Sequence, residues 1–142
     1  MVVAFCGHSD YKESSRDGSR VMEILEEYVG DSECELFLGE YGNFDSFAYN
    51  CAYRFKQLHP GTKLVFISPY VLPKKQCTHE FDITIYPGLE NVPPKFAIAH
   101  RNRWIVDRAD LIIAYVSRSF GGAYAMYSYA ARRKKDIRNI AF

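Results

Sequence analysis

Short apolar runs and helix-spaced apolar stripes take turns along this chain, and that alternation constrains the fold more than any other feature. Met1 to Cys6 is a short apolar run that stops at Gly7. Val21, Ile24, Leu25 and Tyr28 then recur at helical spacing, with Gly30 where a helix would stop. "CELFL", Cys34 to Leu38, is the second run. Its stripe is Ala48, Cys51, Ala52 and Phe55, with Asp45 placed as an N-cap and His59-Pro60-Gly61 as the stop. "KLVFIS", Lys63 to Ser68, is a buried-strand pattern, and "FDITIY" alternates as an edge strand would, with the turn-rich "PYVLPKKQCTHE" between them. Pro93 and Pro94 suit the first turn of a helix through "KFAIAHRNRWIVDRA". The strand "LIIAYV", a helix with Ala123, Met126, Tyr127 and Ala130 on one face, and a last strand in "IRNIAF" complete the series. Strands alternating with helices require parallel crossovers. We therefore expect one α/β domain over residues 1–142, a Rossmann-like three-layer fold with a mostly parallel sheet and helices on both faces.

The 142 residues carry a formal charge of +1, so no global field draws in nucleic acid or anionic lipid, and any phosphate affinity must be local. Nucleic acid is accordingly set aside as a partner. The cations of "RRKK", Arg132 to Lys135, are read as complementing a helix C-terminus. No segment has the length of a membrane span and the start has no basic leader, which points to a cytoplasmic protein with no membrane partner. Cys6, Cys34, Cys51 and Cys77 are scattered without a CxxC and are read as reduced thiols. Cys77, His79 and Glu80 come nearest to a metal cluster, but the spacing is tight and has no second half, so the reading is a polar loop and no metal. No cofactor is implied.

In a parallel α/β sheet, ligands bind beyond the C-terminal ends of the strands. Three loops fall there. Gly7-His8-Ser9 combines a glycine with a hydroxyl, and His8 is either a general base or a hydrogen-bonded structural histidine. Gly39-Glu40-Tyr41-Gly42-Asn43-Phe44-Asp45 has two glycines ahead of a helix, an anion-binding pattern. Its carboxylates, Glu40 and Asp45, repel phosphate unless they meet ribose hydroxyls or act as acid or base. The third loop is "SFGGAYAMYSYA", where Gly121 and Gly122 precede the last helix. No GxGxxG follows the first strand, so a dinucleotide fingerprint is missing.

"RNRWIVDRADLIIAYVSRSFGGAYAMYSYAARRKK" has the order basic residue, helix, "AD", apolar strand, glycine turn and small-residue helix. In that order the chain resembles the SLOG superfamily, which includes the LOG phosphoribohydrolases and DprA, and within it the small stand-alone bacterial or phage members related to YpsA. The resemblance implies that Arg101 stands where the LOG enzymes keep an arginine and that Gly121 and Gly122 match their glycine pair. The Gly-Thr step of the LOG motif is Tyr124-Ala125 here, and its glutamate positions hold Tyr127 and Ser128.

The expectation is a domain that senses or sequesters a nucleotide-derived small molecule, as SLOG domains of conflict systems are proposed to do. Gly7, Ser9, Gly39, Gly42, Gly121 and Gly122 would contact phosphate, with His8 beside them. Arg101 and Asn102 would supply charge and hydrogen bonds, and Tyr41 and Tyr124 would stack on a base. The alternative is a nucleotide N-glycosidase or a deoxyribosyltransferase-like enzyme using Glu40 or Asp45, while a DprA-like DNA-processing role ranks below both. A homodimer or higher homo-oligomer is expected from the resemblance.

Overall fold

The structure is a computed structural model, described here for residues 1–71 and 79–142. Cys77 lies outside the described residues. The elements run β1 (Val2–Gly7), α1 (Ser15–Tyr28), β2 (Cys34–Leu38), α2 (Asn43–Leu58), β3 (Thr62–Ile67), β4 (Ile83–Ile85), α3 (Ala97–Arg108), β5 (Leu111–Tyr115), α4 (Gly122–Arg132) and β6 (Asp136–Asn139). A single 3-10 turn, Pro94–Phe96, leads into α3. The strands form one sheet in the order β4-β3-β2-β1-β5-β6, and every pair is parallel.

Strand alternation sorts the core into two layers. Val3, Phe5, Leu36, Leu38, Leu111 and Ile113 face one way and meet Val21 and Leu25 of α1 and Phe44, Phe47 and Phe55 of α2. Ala4, Cys6, Phe37, Ile112 and Ala114 face the other way and meet Ile105 and Val106 of α3 and Met126 and Ala130 of α4. The result is the expected Rossmann-like three-layer arrangement, with the switch in strand order at β1, which pairs with both β2 and β5.

Local signals account for the helix ends. Ser14 caps α1 by accepting from the Asp17 N–H at 3.2 Å, and Gly30 ends the turn after it at φ 55°. Asp45 is not an N-cap: α2 starts at Asn43, with Gly42 at the cap, and the Asp45 carboxylate instead accepts from the Tyr41 N–H at 2.8 Å. The cations of "RRKK" serve α3 as well as their own helix. Lys135 donates to Asp107 O and Ala109 O at 3.1 and 3.2 Å, and Arg133 pairs with Asp107 at 3.3 Å. Among the described residues no helix is long and apolar enough to cross a membrane.

Candidate functional site

A cleft of about 230 Å³ opens at the C-terminal edge of the sheet on the α3/α4 side. Its floor is apolar, from Cys6, Phe37, Ile105 and Met126. Gly7 at the end of β1 with His8 and Ser9 after it, Gly39, Tyr41 and Asp45 after β2, Arg101 and Asn102 of α3, and Gly121 and Gly122 at the start of α4 form its walls. Ten of the residues anticipated from the sequence thus meet in one cleft. Glu40, Gly42 and Tyr124 do not line it.

The loops that carry these residues are tied to one another. The Ser117 N–H donates to His8 Nε2 at 3.0 Å, which joins the loops after β1 and β5, and the Asn43 N–H donates to Ser9 O at 2.9 Å, which joins those after β1 and β2. His8 is 4% exposed, and burial lowers its pKa, helped by Arg118 and opposed by Asp10. A neutral imidazole that accepts at Nε2 carries its proton on Nδ1. His8 therefore acts here as a loop tie, and its basic nitrogen is already engaged.

The glycines divide into two kinds. A Cβ on Gly7 would collide with the Phe44 ring. One on Gly39 would lie 2.9 Å from Asp45 Oδ2 and 3.0 Å from Arg101 Nη1, and one on Gly42, where φ is +122°, would lie 2.8 Å from Ser9 Cα. These three are required by the protein's own packing. Gly121 and Gly122 differ: a Cβ on either meets nothing within 4 Å. Gly121 sits at the N-cap of α4 with φ 92° and offers no side-chain cap, so the first amides of α4 are left to whatever enters the cleft.

Arg101 is the buried cation of the site. It is 4% exposed, its Nη1 donates to Ile67 O at 2.9 Å, and its Nε donates to Asn102 Oδ1 at 3.0 Å. Burial pulls its pKa down, while Asp45, Tyr41 and Tyr70 oppose the shift. Its guanidinium carbon lies 5.6 Å from the centre of the Tyr41 ring. Gly39 is what lets Arg101 and Asp45 approach the end of β2. Asp45 is the carboxylate that lines the cleft. Glu40, one residue after Gly39, is turned to the opposite side, where His79 Nδ1 donates to it at 2.7 Å.

Sequence reasoning missed Arg118 and Cys6. Arg118 lines the cleft from the loop after β5 and holds Asp10 through two contacts of 3.0 Å. A cation at a strand end was its only signal. Cys6 lies on the floor, donates to Ala123 O at 3.2 Å, and has a thiol pushed up to about 12 by burial, so it is apolar lining and not a nucleophile. Tyr124 lies in a neighbouring groove between α3 and α4.

No protein-family model matches the chain, and no curated protein does. Among solved structures, DNA processing protein A from Helicobacter pylori, studied for its single-stranded DNA binding mode, is similar with a TM-score of 0.61 at 16% identity. The match covers 96% of this chain and 63% of that one, so this chain spans less than two thirds of its neighbour's length. The fold is thus DprA-like. The neighbour also corrects the exclusion of nucleic acid. A fold of this kind serves a protein that binds single-stranded DNA, and a near-neutral net charge does not measure the local charge and stacking surface such binding uses.

Proposed function

We propose that the cleft binds a nucleotide-derived small molecule, with the phosphate at the start of α4 and the nucleoside over the apolar floor. The observation that carries this reading is the open space in front of Gly121 and Gly122, in the cleft that Arg101 also lines. Asn102 and Asp45 would meet ribose hydroxyls, for which a carboxylate is a suitable acceptor. Such a domain senses or sequesters its ligand. The finer placement beside the stand-alone YpsA-like members belongs to the same proposal and rests on the motif around Arg101 and Gly121.

A thermal-shift series with nucleoside monophosphates, NAD derivatives and cyclic oligonucleotides tests it. At 100 times its Kd a ligand stabilises by about 2.7 kcal/mol. An unchanged melting temperature with every compound sinks the reading. The enzymatic alternative is narrowed to Asp45, since Glu40 faces away; glycosidic cleavage normally takes two carboxylates about the bond. Base release that disappears in Asp45→Asn would revive it.

A second reading, binding of a single-stranded nucleic acid, is favoured by two exposed aromatic side chains close in sequence to the cleft residues Ile98 and Gly121. Phe120 is 67% and Phe96 48% exposed, and each carries a cation 5.1 Å from its ring centre, Arg118 and Lys95 respectively. Aromatic rings beside cations are what single strands stack on. Fluorescence anisotropy with a labelled oligonucleotide at two salt concentrations tests it: salt-sensitive binding weakened by Phe120→Ala supports the reading, and no binding at low salt overturns it.

A further inference from the structure

The cleft does not end at α4. A groove of about 560 Å³ between α3 and α4 adjoins it, and the two share Ile98, Asn102, Gly122 and Met126 as lining. Alone, the cleft falls below the ~300–1,000 Å³ of small-molecule sites, and the groove brings the combined space into that range. Gly122, with open space at its Cβ position, is on the boundary between them.

The groove has its own chemistry. Tyr124 and Ile98, 36% and 37% exposed, offer an aromatic and an aliphatic surface. At its other end Arg103 and Arg132 lie 5.5 and 5.9 Å from the centre of the Tyr129 ring. Among the described residues neither arginine is in an ion pair. The nearby acid, Asp107, is already held by the Tyr129 hydroxyl at 2.8 Å and by Arg133 at 3.3 Å. The groove thus joins a stacking surface to two cations that are in no ion pair among the described residues, with Asp107 shared between Tyr129 and Arg133.

We infer that the groove is a second base station, and that the ligand is a dinucleotide unit whose linking phosphate sits at Gly122 with one base in the cleft and the other against Tyr124. This rests on the nucleotide reading of the cleft. The second nucleoside gains its affinity from Tyr124 and Ile98, and Arg103 and Arg132 take its outer phosphate or carbonyl edge.

Isothermal titration with the nucleoside 5′-monophosphates of the common bases, and with the linear dinucleotides that extend them, tests the inference. The expected result is that a dinucleotide binds about tenfold more tightly than its monophosphate, the order of one base–aromatic stack. Tyr124→Ala should remove that advantage while leaving the monophosphate within about twofold, and Arg132→Ala should remove part of it. Both side chains are exposed enough that the fold is expected to survive, which thermal unfolding checks. If the monophosphate binds and the dinucleotide gains nothing, or if Tyr124→Ala weakens both equally, the second station is overturned and the cleft stands. If neither compound binds, both readings fall. A single strand of about eight nucleotides separates the two sources of such a unit. Equal affinity supports a free dinucleotide, and a further gain supports the end of a strand.

Discussion

The glycine turns after β1 and β2 and the glycine turn before α4 look alike as sequence, yet the first two are filled by the protein and the third is not. Gly7 is backed by Phe44, Gly39 by Asp45 and Arg101, and Gly42 by the backbone of Ser9. Gly121 and Gly122 have open space at the same distance. Besides the positive φ that Gly42 and Gly121 both need, a glycine at a strand end therefore has two distinct uses. It can let two parts of the chain approach, or it can leave backbone amides bare for something that is not the chain. Only the second is evidence of a ligand.

The largest expected effect is at Gly7. Gly7→Ala forces a methyl group into the ring of Phe44, a fully buried residue, and should cost about 1–3 kcal/mol in urea unfolding. Recovery of much of that loss in Gly7→Ala/Phe44→Leu would tie the cost to the ring itself. If Gly7→Ala is neutral, the two kinds of glycine are not distinct. Arg101→Met should cost about 1–3 kcal/mol, because Ile67 O loses its buried donor, and should also abolish binding of any anionic ligand in the cleft.

Gly122→Ala tests the glycines that have open space. The methyl group meets nothing and the helix gains a residue with less unfolded-state freedom, so stability should rise by about 0.5 kcal/mol while affinity for a cleft ligand falls at least tenfold. A variant that binds as well as the parent would remove the amides of α4 from the site.

Two smaller effects concern regions away from the cleft. Lys134 holds φ 57° where α4 ends, a conformation that glycine adopts without cost, so Lys134→Gly should stabilise by about 0.5–1 kcal/mol with the cleft unaffected. His59 donates to Glu26 and Asp31 at 2.6 and 2.7 Å, and these bonds raise its pKa above the ordinary 6.5. A group whose folded pKa is raised stabilises fully below its unfolded pKa and loses that contribution as pH rises through the folded value. The melting temperature should therefore fall as pH climbs from about 6.5 through the raised pKa, and His59→Gln should flatten that slope. The effect is the smallest of the series because the carboxylates are solvent-exposed and screened.

Much of the architecture was legible from periodicity. The strand-like runs and helical stripes found their elements, because a residue's preference for period 2 or 3.6 is set by neighbours a few positions away. The boundaries were less legible: Asp45 reads as a helix cap, yet its carboxylate reaches back to Tyr41 because α2 starts earlier, at Asn43. Of the site, the loops were visible as chemistry at strand ends, and Arg101, inside α3, only through the family resemblance. Arg118 was not, since nothing local marks a loop cation that the fold turns toward the cleft.

By itself the sequence determined the alternation of strands and helices, and from it a parallel sheet whose strand ends gather the three glycine loops. Whether Glu40 or Asp45 faces the cleft, whether His8 keeps a usable nitrogen, and which glycines have room in front of them were decided by tertiary structure alone. Those properties depend on residues far apart in the chain, such as Phe44 behind Gly7, His79 beside Glu40 and Ser117 against His8. No spacing rule carries a contact of that kind. Burial and the reach of a hydrogen bond settle it once the chain has closed.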